Sequence, residues 1–162
     1  MNIEESKKDI YNELRIAADV DNEFLEDSFV EYVEKLLSDA GIYENIQKGY
    51  YGNDNLGIRI DGYNWNPLEK ILSAFIIRFS GVEDKVLISQ SDIEKLGKRT
   101  SKFLEKIDDN KFIDRLDPTD EGYILAMEML PYLEEINKYR VVIITDHELS
   151  NRIKLNKLKI ND

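Results

Sequence analysis

The sequence predicts one α/β (α+β) domain in which a central mixed sheet is flanked by helices. Three observations support this prediction: two amphipathic helices at the start, three strand-like segments in direct succession, and a later helical stretch that leads into an apolar strand. The chain has 162 residues, of which 42% are hydrophobic. A single domain of residues 1–162 is therefore long enough to bury a core without a metal or a disulfide.

The first part of the chain predicts two helices. Apolar residues at helical spacing indicate a helix from about Glu4 to Ala18. Residues 28–31 (SFVE) have the pattern of a capping box and predict the start of a second helix, because a serine and a glutamate at this spacing satisfy free backbone N–H groups. Gly41 predicts its end.

Three strands are predicted next. Residues 43–51 suit a short strand, and residues 52–55 (GNDN) suit a turn. In residues 56–61 apolar and other side chains alternate, as in a strand with one buried face. Residues 64–70, which include Trp65, predict another turn. Residues 72–79 are almost continuously apolar, which is typical of a central strand, so the three strands predict an antiparallel meander.

The second half of the chain predicts helices and a last strand. Residues 91–94 (SDIE) predict a capped helix to about residue 107, and residues 117–120 predict one to about residue 137 that Pro131 kinks or splits. Residues 140–145 predict a buried strand that joins the sheet in parallel. Residues 151–162 have a strand-like pattern without a clear partner. The resulting order, αβββαβ, is the core order of restriction-endonuclease-like folds, an analogy at the level of the fold.

Composition excludes several kinds of site. The chain has no cysteine, so thiol catalysis, disulfides and a cysteine zinc site are excluded, and with one histidine a multi-histidine metal site is excluded. The net charge of −11, from 33 acidic and 22 basic residues, repels nucleic acid over most of the surface. The sequence has no signal-peptide pattern and no membrane-length apolar run, which predicts a cytoplasmic protein.

Two carboxylates are candidate ligands for Mg²⁺. Asp61 ends a predicted strand and points away from its apolar face; a carboxylate there can hold a cation that polarises a phosphate and activates water. The alternative is a polar residue that supports the turn at Gly62. Glu34 lies at the flank of the second helix and can supply a second ligand, or it is a solvated surface charge. Glu31 lies on the far side of that helix.

Other polar residues have simpler interpretations. Lys95, Arg99 and Lys102 form a basic helix face, which suits a nucleic acid or a partner, although nearby acids favour an ordinary salt-bridged surface. Residues 83–85 (EDK) are interpreted as surface charge. His147 is predicted to be a solvated loop histidine rather than a general base.

Several segments together resemble the N-terminal domain of abortive-infection phage-resistance (AIPR) family proteins. They are Tyr50-Tyr51, residues 59–63 (RIDGY), residues 75–81 (FIIRFSG) and residues 141–154 (VVIITDHELSNRIK), within a region from about Phe24 to Lys154. The resemblance implies a bacterial antiphage factor and an N-terminal fragment whose partner is a C-terminal AIPR domain of the same protein. It leaves the oligomeric state open, including a homo-oligomer.

The candidate catalytic residue is Asp61, with Glu34 and Arg78 as the neighbours that decide whether it holds a cation. A nuclease of this fold pairs its aspartate with an acid-x-lysine triplet on the next strand, but residues 73–79 contain no acid, and Arg78 stands where the family has one. The sequence therefore predicts a degenerate metal centre, in which Asp61 and Arg78 form an ion pair if no cation is bound. Two alternatives remain open: a non-catalytic module that recognises a phage or host partner, and a nuclease completed by the C-terminal part.

Overall fold

The computed structural model describes residues 3–21 and 24–153. Two helices come first, then a meander of three strands, then helices and short strands. The elements are α1 (Ile3–Asp21), α2 (Leu25–Asp39), β1 (Gln47–Asn53), β2 (Ile58–Asn66), β3 (Ile71–Arg78), β4 (Leu87–Ile88), α3 (Gln90–Ile107), α4 (Asn110–Ile113), α5 (Glu121–Leu133), β5 (Lys138–Thr145) and β6 (Glu148–Leu149).

The main sheet has four strands in the order β1-β2-β3-β5. β1 pairs with β2 and β2 with β3 in antiparallel fashion, whereas β5 joins β3 in parallel over the whole length of both strands. The predicted meander, the parallel last strand and the α+β class are therefore confirmed. A second, two-stranded parallel sheet of β4 and β6 was not predicted, because two-residue strands carry no periodicity.

Each face of the main sheet has its own core. Helices α3, α4 and α5 cover one face, where Ile58, Ile60 and Leu72 pack against Phe103. Helices α1 and α2 cover the other face, where Leu14 and Phe29 pack against β3 and β5. β3 is buried along nearly its whole length, as its continuous apolar pattern predicts.

Two predicted helix starts were wrong. α2 begins at Leu25 after Phe24, so Ser28 lies inside the helix and is only 4% exposed; the apolar contacts of this helix placed its start one turn earlier than the local capping pattern indicated. α3 begins at Gln90, and its capping box is formed by Ser89 and Asp92.

Three further boundaries differ from the predictions. β2 continues to Asn66, so Trp65 lies in a strand and stacks on Tyr132 with ring centroids 4.8 Å apart. α5 begins at Glu121 rather than in the preceding DPTD segment, and Pro131 does not split it but precedes its end at Leu133. The predicted strand at the C-terminus lies largely outside the described residues. Among the described residues, no helix has the length and apolar character needed to span a bilayer.

Candidate functional site

The antiparallel sheet is irregular at Asp61. The pairing of β1 with β2 shifts by one residue between Lys48 and Tyr51, so β1 has two residues opposite Asp61 alone. Such a bulge leaves backbone groups without a ladder partner. The N–H of Tyr50, in the bulge, donates instead to Oε2 of Glu121 over 2.7 Å. The carboxylate of Glu121 therefore serves as the hydrogen-bond acceptor that the strand ladder does not provide.

The pairing of β2 with β3 also changes at this point. The regular Cα partners end at Gly62 and Phe75. One residue earlier in β2, Oδ2 of Asp61 accepts a hydrogen bond from the backbone N–H of Ile77 over 2.8 Å. The side chain therefore replaces a main-chain acceptor, and it holds two strands together where their ladder stops.

The second partner of Asp61 is Arg59. Nε of Arg59 donates to Oδ2 over 3.0 Å, and Nη2 donates to Oδ1 over 3.1 Å. The side chains are 7% exposed for Asp61 and 26% exposed for Arg59, and the guanidinium lies 5.6 Å from the ring centroid of Tyr50. Burial lowers the pKa of Arg59, but the hydrogen bonds and charge of Asp61 outweigh it and raise that pKa overall. Both oxygens of Asp61 are thus engaged.

These residues form a cleft of about 310 Å³ between the sheet and the start of α2. Its lining carries four carboxylates and two basic groups; the charged residues are Glu26, Asp27, Lys48, Arg59, Asp61 and Glu121. Glu26 and Asp27 are exposed in the first turn of α2. The cleft is therefore predominantly acidic, and its two cations are paired with acids of the same chain.

Glu34 lies beside a different hollow, together with Glu31. It forms an ion pair with Lys48 over 3.0 Å, while Glu31 lies 3.6 Å from the same nitrogen. Burial lowers the pKa of Lys48, but these two carboxylates outweigh it and raise that pKa. Lys48 also lines the Asp61 cleft. Glu34 does not line that cleft and is connected to it only through its ion pair with Lys48.

Arg78 does not pair with Asp61, so that predicted ion pair is wrong. The partner is Arg59, two residues away on the same strand. Arg78 is exposed at the end of β3 and lies near the start of α3, where its charge adds to the hydrogen bonds from Ser89 that lower the pKa of Asp92. Across the part of the chain that the structure describes, no three acidic or histidine side chains are grouped closely enough to hold a metal ion.

Comparison with known families identifies the chain's relatives. Residues 29–162 match the model of the abortive infection phage resistance protein N-terminal domain. The chain belongs to the AIPR family. No curated protein and no solved structure matches it significantly. The predicted family is thus confirmed, and α1 lies outside the matched region of this AIPR domain.

Two residues of the basic helix face formed by Lys95, Arg99 and Lys102 make contacts within the AIPR domain. Arg99 forms an ion pair with Asp54 in the turn between β1 and β2, and Nζ of Lys102 donates to the carbonyl oxygen of Leu56 over 3.2 Å. Of the three basic residues predicted for a nucleic-acid surface, Lys95 is the one without such a contact to that turn, and it is exposed. A nucleic-acid role for this face stays a prediction.

Sequence reasoning missed a buried polar cluster of the AIPR domain at the ends of β3 and β5. Asp146 accepts hydrogen bonds from the hydroxyl groups of Tyr11 and Ser80, and from the backbone N–H of Ser80 over 2.8 Å. Nε2 of His147 lies 3.6 Å from Oδ1 of Asp146, and their side chains are 7% and 3% exposed. The prediction of a solvated His147 was therefore wrong: its side chain is buried beside Asp146, which is held by α1 and by the loop after β3.

The cluster shifts two pKa values. Burial raises the pKa of Asp146, but the hydrogen bonds from Ser80 and Tyr11 outweigh it and lower that pKa overall. Burial, followed by the hydrogen bond to Asp146, raises the pKa of Tyr11 to about 12. The Asp-His pair directly after the strand predicted for residues 140–145 was the available sequence signal, but its partner in α1 lies 135 residues away from Asp146 in the chain.

Proposed function

We propose that this AIPR N-terminal domain has a restriction-endonuclease-like core whose metal centre is degenerate, and that it serves phage resistance without cleaving nucleic acid at Asp61. The observation that carries the proposal is the engagement of both oxygens of Asp61 by Arg59 and by the N–H of Ile77. A guanidinium of the chain itself is paired with the carboxylate that a divalent cation would need as a ligand.

The surrounding residues support the same conclusion. Mg²⁺ requires several well-placed oxygen ligands and dehydrates reluctantly. Glu121 is bonded to the N–H of Tyr50, and Glu34 is bonded to Lys48. A cation at Asp61 would have to displace an ion pair and a strand-to-strand hydrogen bond, while the acidic lining would repel the phosphates of a substrate.

We further propose that the domain acts in the bacterial cytoplasm as an interaction or assembly module. Its partners would be a phage or host component, the C-terminal AIPR part of the full-length protein, or a second copy. The alternative is a nuclease completed by residues of the C-terminal part, with Asp61, Glu34 and Arg78 as its contribution. The interaction role is favoured because both oxygens of Asp61 are already bonded within the domain. A carboxylate paired in this way contributes little to a metal site shared with the C-terminal part.

A metal-binding measurement on the full-length protein separates the alternatives. Titration of that protein with Mn²⁺, followed by calorimetry, should detect no site that depends on Asp61. The matched variants are Asp61→Asn and Glu121→Gln, which remove charges from the same cleft. Mn²⁺ binding that is present in the wild type and lost in Asp61→Asn would overturn the proposal.

A cleavage assay tests the function in the full-length AIPR protein. Supercoiled plasmid is incubated with the wild-type protein or with Asp61→Ala, in the presence of Mg²⁺ or Mn²⁺. We expect no cleavage, or cleavage at the same rate in both proteins. A nicking activity that is lost in Asp61→Ala, at a temperature where circular dichroism shows this variant to be folded, but retained in Asp54→Ala would instead show that the centre is functional.

A further inference from the structure

A second groove lies on the other face of the sheet, away from Asp61. It runs between the C-terminal half of α3, the end of α5 and the start of β5, and has a volume of about 460 Å³. This size falls in the range of about 300–1,000 Å³ that is typical of ligand pockets. The lining residues are Ser101, Leu104, Glu105, Asp108, Leu130, Leu133, Glu134, Ile136 and Tyr139.

The floor of the groove is apolar. Leu104 is 7% exposed and belongs to the core. Leu130, Leu133 and Ile136 are half-buried and pack against that core, so part of each side chain remains open to the groove. An occupant that covers these side chains gains free energy from the apolar surface removed from water.

The rim of the groove is negatively charged. Glu105, Asp108 and Glu134 are exposed, the lining contains no lysine or arginine, and within the described part of the chain none of the three has an ion pair. Asp108 caps the C-terminus of α3, and Glu134 caps the C-terminus of α5. Helix C-termini carry partial negative charge, so two helix ends and three carboxylates concentrate negative potential at one place.

We propose that this groove binds a short segment of a partner protein in which apolar side chains are flanked by lysine or arginine. The apolar floor accommodates the apolar side chains of the partner. The acidic rim pairs with its lysine or arginine side chains and repels phosphate. Acidic side chains at helix C-termini are unfavourable in the free domain, and a cationic partner relieves this repulsion. The inference is independent of the Asp61 cleft and does not depend on whether the AIPR protein cleaves nucleic acid.

A fluorescently labelled eight-residue peptide of alternating leucine and lysine is a suitable probe, measured by fluorescence anisotropy against the whole chain. Two control peptides replace either all lysines by glutamate or all leucines by serine. We expect binding of the leucine-lysine peptide and at least about tenfold weaker binding of both controls, equivalent to about 1.4 kcal/mol. Equal binding of the serine-lysine peptide would overturn the proposal, because the apolar floor would then play no part.

A pair of charge-reversed proteins locates the binding site. Glu105→Lys with Glu134→Lys reverses the rim, while Asp9→Lys with Glu13→Lys makes the same change in net charge at exposed positions of α1 on the opposite layer. The rim variant should lose at least about tenfold in affinity, and the α1 variant should lose much less. Equal losses would show non-specific attraction and overturn the proposal. Lysines near helix C-termini are favourable, and circular dichroism checks that both variants are folded.

Discussion

Replacement of Asp61 by alanine is the most direct test of the role that the structure gives this residue. The wild-type carboxylate accepts hydrogen bonds from Arg59 and from the backbone N–H of Ile77. In the alanine variant, the guanidinium loses its counter-charge, and the N–H loses its acceptor at the point where the ladder between β2 and β3 ends. We therefore expect a loss of stability rather than a loss of activity.

The size of the loss follows from the burial of the two partners. Removal of one member of a buried ion pair costs about 3–5 kcal/mol, and a buried N–H without an acceptor costs about 1–3 kcal/mol. Asp61 is 7% exposed, but Arg59 is 26% exposed and can regain contact with water. We therefore expect Asp61→Ala to lower the free energy of unfolding by about 2–4 kcal/mol, and Tm by about 4–16 °C.

Urea unfolding followed by circular dichroism measures this difference. Asp54→Ala is the matched control: it also removes an aspartate paired with an arginine, but the side chain of Asp54 is 93% exposed, so the effect should be small. The double variant Arg59→Met/Asp61→Asn removes both charges and should be more stable than Asp61→Ala, because no uncompensated guanidinium remains.

One result would refute the reasoning. If Asp61→Ala unfolds at the same urea concentration as the wild type, the carboxylate does not stabilise the join between β2 and β3. Asp61 would then be available for another role, and a metal or substrate ligand would become the better interpretation. Retained stability together with lost plasmid cleavage would establish that role.

Two further predictions concern Tyr11 in α1 and Gly62 in β2. Burial and the hydrogen bond to Asp146 raise the pKa of Tyr11 in the folded state to about 12. Its contribution to stability is therefore complete below the unfolded pKa of about 10 and is lost as the pH rises from there through the folded value. The free energy of unfolding, measured with urea across this pH range, should fall less steeply for Tyr11→Phe than for the wild type, and an unchanged slope would contradict the prediction. Gly62→Ala should be strongly destabilising, because its φ is +157° and the new Cβ would lie 2.6 Å from the carbonyl oxygen of Gln47. Gly41→Ala has a φ of +65° with nothing within 4 Å, so thermal melts of the two variants separate the steric cost from the backbone cost, and equal losses would contradict the expected clash.

Sequence reasoning came close at Asp61 but assigned it the wrong partner. The alternation of residues 56–61 placed the side chain on the face away from Ile58 and Ile60, and the structure confirms this, since those two residues belong to the core on the other side. The prediction of Arg78 as counter-ion assumed contact across neighbouring strands. The bulge in β1 and the end of the β2–β3 ladder direct Asp61 toward Arg59 and the N–H of Ile77 instead, and neither feature is encoded in a local pattern.

The sequence by itself determined the class of the fold, the order of its longer helices and strands, and its family, because periodicity, turn residues and short motifs are local properties. The tertiary structure decided how the polar residues are used. The buried side chain of His147 lies beside Asp146, which accepts a hydrogen bond from Tyr11 of α1, 135 residues earlier in the chain. Asp61 is an internal hydrogen-bond acceptor because two strands separate beside it. Such pairings depend on register and on contacts between distant segments, and their energies become available only when the whole sheet is assembled.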